Sequence, residues 1–186
     1  MDNSKIDDYQ KNIRNVKISV LYRSSVNDEH FRRIAKDRNA EFRTRRNFIV
    51  IKDIYPITIF PKGNNHYHFN ITGIKSLSIV PRVISWLNQY YCFDDTFEII
   101  RHTIDNITAA FDLRQELSLH LLATHLLGST YNPKRFPALF YKNDKTTALI
   151  FSSGKVNILG CKSEHQVLQA WKHLQAEISV ARMSKI

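Results

Sequence analysis

Glycine and proline are scarce in this 186-residue chain, five of each, and no G-X-Y period or low-complexity tract is present. Collagen-like and linker-like architectures are thereby excluded. Cysteine is scarcer still: Cys92 and Cys161 stand far apart and match no zinc-knuckle or dithiol spacing, so buried thiols are expected rather than a metal site or a disulfide framework. No apolar run approaches the ~20 residues that a bilayer-spanning helix needs. The polar start, with Asp2, Asp7 and Asp8, offers no secretory signal. The expectation is an intracellular chain with no membrane contact. A Ser-His-Asp order, a Gly-rich phosphate loop and paired carboxylates are also missing, which argues against an enzyme and calls for no cofactor. His66 and His68 lie two apart without a third ligand at metal spacing, and they read as a solvated hairpin tip. His120 and His125, five apart, do not share a helical face. No metal is expected.

Acidic residues are outnumbered, 17 against 27 basic ones, for a formal net charge of +10. The excess is confined to two strips. Residues 31–52 hold eight Lys/Arg against Asp37 and Glu41, and residues 131–162 hold six against Asp144, which leaves the remainder of the chain close to neutral. Clustered positive charge points to a polyanionic partner, most often nucleic acid, because neutralised phosphates release condensed counterions. With 43% hydrophobic residues the chain can build one compact domain or two small ones that share a core.

The chain also repeats itself. FNITGIKS at 69–76 parallels VNILGCKS at 156–163, and EFRTRRNFIVIK at 41–52 parallels TYNPKRFPALFYK at 130–142, with ITIF matching ALIF at offsets of 87 to 91 residues. Each half reads in one order. A strand (16–22; 107–111) and a helix (28–38; 113–127) precede three strand-like runs (47–51, 56–60 and 67–72; 136–141, 146–151 and 156–159) and a closing helix. Ser153-Gly154 supplies turn chemistry for a hairpin. Ser163 and Gln166 make a capping box before Val167, Trp171, Leu174 and Ile178, which recur at helical spacing. Trp86 and Trp171 occupy the two closing helices as core anchors.

A β-α-β-β-β-α half covers one face of its sheet with helices and leaves the other bare. Residues two apart in a strand share a face, so Leu149 and Phe151 lie with Asn157 and Leu159, while Ile150 and Ile158 turn to the helices. Their counterparts are Thr58, Phe60, Asn70 and Thr72. Bordered by Arg45, Arg46, Lys134, Arg135, Lys142 and Lys155, such a face combines apolar wedges, short hydrogen-bonding groups and phosphate partners, as a minor-groove binder requires.

YNPKRFPALFYK, TTALIFSSGK and GCKSEHQ resemble the core of the TATA-box-binding protein family, closely over residues 131–174 and more loosely through RNAEF, RRNF and FNITGIKS. The resemblance implies an α+β saddle: two pseudo-symmetric β-α-β-β-β-α repeats forming a ten-stranded curved antiparallel sheet, with helices on its convex face. It divides the chain into a tail at 1–12 and repeats at 13–93 and 94–186. It implies a transcription initiation factor that binds A·T-rich promoter DNA in the minor groove, inserts Phe side chains, bends the duplex and stages other initiation factors and RNA polymerase. A second copy of the chain is the alternative occupant of the concave face when DNA is absent. The implied location is the nucleus or the transcription site of a large DNA virus.

Carried over by position, the intercalating pair of the second repeat falls on Phe136 and Phe151, followed by Pro137. In the first repeat Phe60 aligns with one wedge. The other falls on Asn47, with Phe48 one step on and pointing to the opposite face unless a bulge shifts it, which implies a weaker or one-sided bend. The central Asn pair corresponds to Asn106 and Asn15, and the valines two residues later to Thr108 and Lys17. Asn70 and Asn157 replace Val, Thr72 keeps the family's Thr and Leu159 replaces it; the added amides relax a strict TATA preference, since they also accept from a guanine amino group. The loop before the second Phe-Pro pair, acidic in the family where the B-type initiation factor docks, is here Asn132-Pro133-Lys134-Arg135, which implies a changed partner. Two other readings stand beside this one: a protein-interaction module that has lost sequence-specific DNA binding, and an accessory domain of a repair or ribonuclease enzyme.

Overall fold

Period-two alternation of β-branched and polar residues builds most of the strands. The computed structural model describes residues 11–93 and 95–183, so the first ten residues of the expected tail lie outside the described residues. The strands are β1 (Ile13–Arg23), β2 (Glu41–Arg45), β3 (Phe48–Lys52), β4 (Pro56–Pro61), β5 (His66–Ile74), β6 (Glu98–Asp112), β7 (Ser129–Thr130), β8 (Ala138–Asn143), β9 (Thr146–Phe151) and β10 (Lys155–Cys161). The helices are α1 (Asp28–Asp37), α2 (Val80–Tyr90), α3 (Leu119–His125) and α4 (Glu164–Met183). None of the described helices is long and apolar enough to cross a membrane.

Two compact units result, and they divide inside β1 and β6 rather than near residue 93: one spans Asn15–Asp105, the other takes the chain from Asn106 and adds the segment up to Arg14. In the first unit the strands follow the order β2-β3-β4-β5-β1-β6, and in the second β6-β10-β9-β8-β7. The ladders β1–β5, β6–β10, β9–β10, β2–β3, β3–β4, β4–β5, β7–β8 and β8–β9 are antiparallel. The fold is α+β, and each repeat contains one short edge strand more than the β-α-β-β-β-α pattern, β2 and β7.

Burial follows parity. In the first unit Ile49, Ile51, Ile57, Ile59, Phe69 and Ile71 are sealed, and α1 buries Phe31, Ile34 and Ala35. Phe31 meets Tyr67 and Phe69 edge-on at 5.4 and 5.7 Å. In the second unit Trp171 of α4 stacks on Phe111 of β6 at 4.4 Å between centroids, so it is the core anchor expected. Trp86 is only half-buried, beside Tyr55, Tyr91 and the Arg38 guanidinium. Cys92 and Cys161 are buried and form no disulfide, and burial pushes the Cys161 thiol up to about 11.

Helix entry is chemically specified. At α4 the Gln166 N–H donates to Ser163 Oγ (3.2 Å) and the Gln166 side chain accepts from the Lys162 N–H (2.7 Å). In the first repeat Ser76 instead caps a 3-10 turn, Leu77–Ile79, with α2 beginning beyond it.

Three expected elements are corrected. The helix at 113–127 is confined to Leu119–His125. Arg114 takes a left-handed φ of 54°, and the N–H groups of Leu113 and Leu117 donate to Gly154 and Ser152 of the β9–β10 turn. The strand at 136–141 begins only at Ala138. Asn132 folds the preceding loop, accepting the Lys134 N–H on its side chain and the Phe136 N–H on its carbonyl. The strand at 107–111 starts nine residues early, at Glu98. His66 and His68 lie in β5, not at a hairpin tip.

The β9–β10 turn packs without slack: a Cβ on Gly154, whose φ is +85°, would lie 2.2 Å from the Gln115 carbonyl oxygen, whereas one on Gly63 (φ +72°) meets open space. Gly154→Ala therefore adds a backbone clash to the left-handed penalty of roughly 1–2 kcal/mol that Gly63→Ala bears alone. Urea unfolding is expected to show the larger loss for Gly154→Ala, with Gly63→Ala near the lower value.

Candidate nucleic-acid interface

Because Ile49, Ile51, Ile57, Ile59, Phe69 and Ile71 in the first unit and Ala148, Ile150, Val156 and Ile158 in the second are sealed, the positions that alternate with them form an open sheet face in each unit. In the first unit, cross-strand pairing aligns Val50, Thr58, Asn70 and Ser19 in one row. In the next row Phe60 pairs with His68, at 6.5 Å between rings. Phe48 joins them: its ring lies 5.4 Å from Phe60. This corrects the expectation that Phe48 points away. No bulge is needed, because Ile49 and Ile51 are the sealed positions of β3 and Phe48 shares parity with Val50. Asn47 sits in the β2–β3 turn.

In the second unit the matching row is Phe140, Leu149, Asn157 and Ala110. Phe151 lies opposite Ala138, and Phe136 reaches over from the loop before β8, 6.4 Å from Phe151 and 5.4 Å from Phe140. Phe136 and Phe140 are 39% and 41% exposed, unusual for aromatics outside an interface. Pro137 links Phe136 to β8. Leu159 pairs with Thr147, and Lys155 is exposed at the start of β10. Thr72 is half-buried on the corresponding face of β5.

The two Asn side chains at 15 and 106 are held by equivalent devices. Opposite β1, strand β5 carries an extra residue at Gly73; opposite β6, strand β10 carries one at Gly160. Both glycines have positive φ, +83° and +92°. The Gly73 N–H donates to Asn15 Oδ1 and the Gly160 N–H to Asn106 Oδ1, each at 2.8 Å. With the carbonyl end engaged, the amide NH2 is the end left to meet acceptors. Asn106 Nδ2 donates one hydrogen to Thr108 Oγ1 at 3.2 Å and retains the other.

Sequence reasoning missed a polar cluster in the first unit. Ser19 Oγ donates to Asp105 Oδ1 (2.8 Å), Thr103 Oγ1 donates to the same oxygen (3.0 Å), and Lys17 Nζ lies 3.2 Å from Oδ2. Burial alone would raise the Asp105 carboxyl, but these three partners hold it below the usual carboxylate value. His68 is pushed down, first by burial and then by Lys62, Lys17 and Arg101, against the opposing pull of Asp105. Asn70 Oδ1 is buried with no hydrogen-bond partner. Phe140 was missed as well, although its alternation with Leu139 and Tyr141 carries the signal.

Around the faces, Arg45, Arg46, Lys134, Arg135, Lys142 and Lys155 are exposed. Among the described residues none of these six sits in an ion pair, whereas Lys17, Arg23, Arg32, Arg38, Arg43 and Lys52 do. A groove of about 550 Å³ runs between Arg14, Phe151, Lys155 and Asn157 in the second unit.

A duplicated α+β fold that closes one face of each sheet and leaves aromatic and amide side chains on the other defines a class of two-repeat sheet proteins, and comparison with known proteins bears this out. Residues 101–180 match the family model described as transcription factor TFIID, or TATA-binding protein. The TATA-box-binding protein of Pyrodictium occultum is 44% identical over 73 residues, 38% of this chain and 37% of the relative. That of Thermococcus sibiricus is 34% identical over 115 residues, 58% of this chain and 60% of the relative. These matched segments thus span less than two thirds of the curated relatives. The Methanococcus jannaschii TBP structure aligns over 90% of this chain and 97% of its own, with a TM-score of 0.73 and 29% identity. The chain is thus similar to the TATA-box-binding protein family over residues 101–180 and shares the fold of the Methanococcus jannaschii TBP.

The Asp105 cluster is directly measurable. Its folded-state value lies below the ordinary 3.8, so its contribution to stability is complete above that pH and is lost as pH falls through the folded value. In a carbon-detected NMR titration the Asp105 midpoint is expected below the ordinary value, and Ser19→Ala is expected to move it upward.

Proposed function

We propose that the protein is a transcription initiation factor that binds promoter DNA through the minor groove, wedges Phe side chains between base pairs and bends the duplex to stage an RNA polymerase machinery. The observation that carries this reading is the aromatic cluster on the open face of each repeat: Phe48 with Phe60, and Phe136 with Phe151 and Phe140. An exposed aromatic group at the rim of a polar, positively bordered sheet has a use against stacked bases that it lacks against water. Unstacking a base step costs a few kcal/mol, roughly, and the bent duplex offsets that by wrapping more protein surface.

The remaining site residues divide by role. Asn15 and Asn106 present amide donors to the adenine N3 and thymine O2 acceptors of an A·T-rich groove. Lys17, Asn70, Thr72, Thr108, Leu149, Asn157 and Leu159 contact base edges and sugars, and Pro137 stiffens the approach of Phe136. Arg45, Arg46, Arg135 and Lys155 neutralise phosphates and set the salt dependence. The basic loop at 132–135 selects an initiation-factor partner different from one that docks on an acidic loop. The relatives are archaeal, and the place of action is inside a cell, with its transcription machinery.

Because Phe48 stands with Phe60, a two-sided bend is now expected. Bending measured by fluorescence energy transfer across an A·T-rich duplex should fall by about half in Phe136→Ala/Phe151→Ala and similarly in Phe48→Ala/Phe60→Ala. Affinity should drop on the order of tenfold or more in each. Equal, salt-steep binding to A·T-rich and G·C-rich duplexes, unaltered by either double substitution, would leave nonspecific electrostatics and favour the protein-interaction reading.

A further inference from the structure

Charge of opposite sign stands at equivalent places in the two repeats. The repeat offset that superposes Asn15 on Asn106 superposes Arg14 on Asp105, Lys17 on Thr108 and Ser19 on Ala110. On the first unit's open face the residues flanking the central Asn therefore form an ion pair, Lys17 with Asp105, supported by Ser19 and Thr103. The second unit's face has Thr108 and Ala110 at these places; its groove is lined by Arg14 and Lys155, and the one carboxylate in that lining, Asp112, stands away from the central Asn and accepts the Arg114 N–H.

A carboxylate on a DNA-facing surface is a specific chemical statement. An A·T pair shows only acceptors in the minor groove, and Asp105, held ionised, has only lone pairs to offer them. A G·C pair adds one donor, the guanine amino group. Ser19 and Thr103 occupy Oδ1 and Lys17 lies against Oδ2, which leaves acceptor capacity on a group that is 28% exposed. The Lys17 ammonium has hydrogens beyond the one aimed at Asp105. Lys17 and Asp105 thus show a donor beside an acceptor, the complement of the acceptor and donor on the edge of a G·C pair. A phosphate is the wrong partner, since the carboxylate repels it.

Resting on the DNA-binding reading above, we propose that Asp105 and Lys17 are specificity-determining residues that make the first unit take a G·C base pair where the second unit takes A·T. The preferred promoter element is accordingly asymmetric, and the protein sits on it one way round. Arg14 reinforces the difference, since arginine favours the narrow groove of A-tracts.

The test uses the full chain and three short duplexes that differ only near the centre: all A·T, G·C in one half, and G·C in both halves. Anisotropy titrations at fixed salt are expected to rank the one-sided duplex first, by on the order of tenfold over all-A·T. Asp105→Asn is expected to erase that gap by gaining affinity for the all-A·T duplex. Inosine in place of the guanine, which removes only the amino group, is expected to erase it with wild-type protein and requires no variant to fold. If the wild type binds all-A·T best, or if inosine leaves the ranking unchanged, the assignment of Asp105 is overturned while the DNA-binding reading stands. If no duplex is bound better than random sequence, the DNA-binding reading falls and this inference with it.

Discussion

Everything functional in this molecule depends on the parity of its strands. One set of side chains along β3, β4, β5, β8, β9 and β10 is sealed by helices, and the other set is thereby committed to the open face. A slip of one residue would exchange the sets, placing Ile57 and Ile59 outward and driving Thr58 and Phe60 inward. The glycine bulges at Gly73 and Gly160 fix this register and orient the neighbouring Asn side chains. Packing and recognition therefore rest on the same alternation, and no side chain of the candidate interface can be moved to the core without unsealing its neighbour.

Most of this alternation was legible in the sequence. Thr58, Phe60, Asn70, Thr72, Leu149, Phe151, Asn157 and Leu159 fall where period two puts them. What stayed hidden has physical causes. Strand β2 buries almost nothing, only Phe42 being half-buried, and it is held by backbone pairing to β3 and by Glu41 against Arg43 and Lys52. An edge strand of that kind has no hydrophobic period to read. The first half of β6 is exposed from Glu98 to Thr103, again without a period. The helix expected from 113 is apolar enough to read as helical, but tertiary hydrogen bonds to the β9–β10 turn capture its first residues. String alignment sets Asn47 against Phe136 and leaves Phe48 one step on. The fold instead places the Phe48 ring against Phe60, next to the Ile49–Ile59 pair, so the first repeat brings its aromatic group from within the strand and the second from the loop before it.

Asp105 shows a different limit. Its role depends on Ser19 and Lys17, more than eighty residues away in sequence, and only strand pairing brings them together. Duplication supplies a near-symmetric frame, and single substitutions at equivalent positions then give the two halves different chemistry. A frame of this kind recognises an asymmetric ligand by departures from its own symmetry.

The central claim is that aromatic side chains on two open sheet faces prise apart stacked base pairs. The most direct measurement places 2-aminopurine at successive steps of a bound A·T-rich duplex and follows its emission, which is quenched by stacking. The account predicts a rise at two separated steps, one lost when Phe48 and Phe60 are removed and the other when Phe136 and Phe151 are. Full binding with no rise at any step would contradict it.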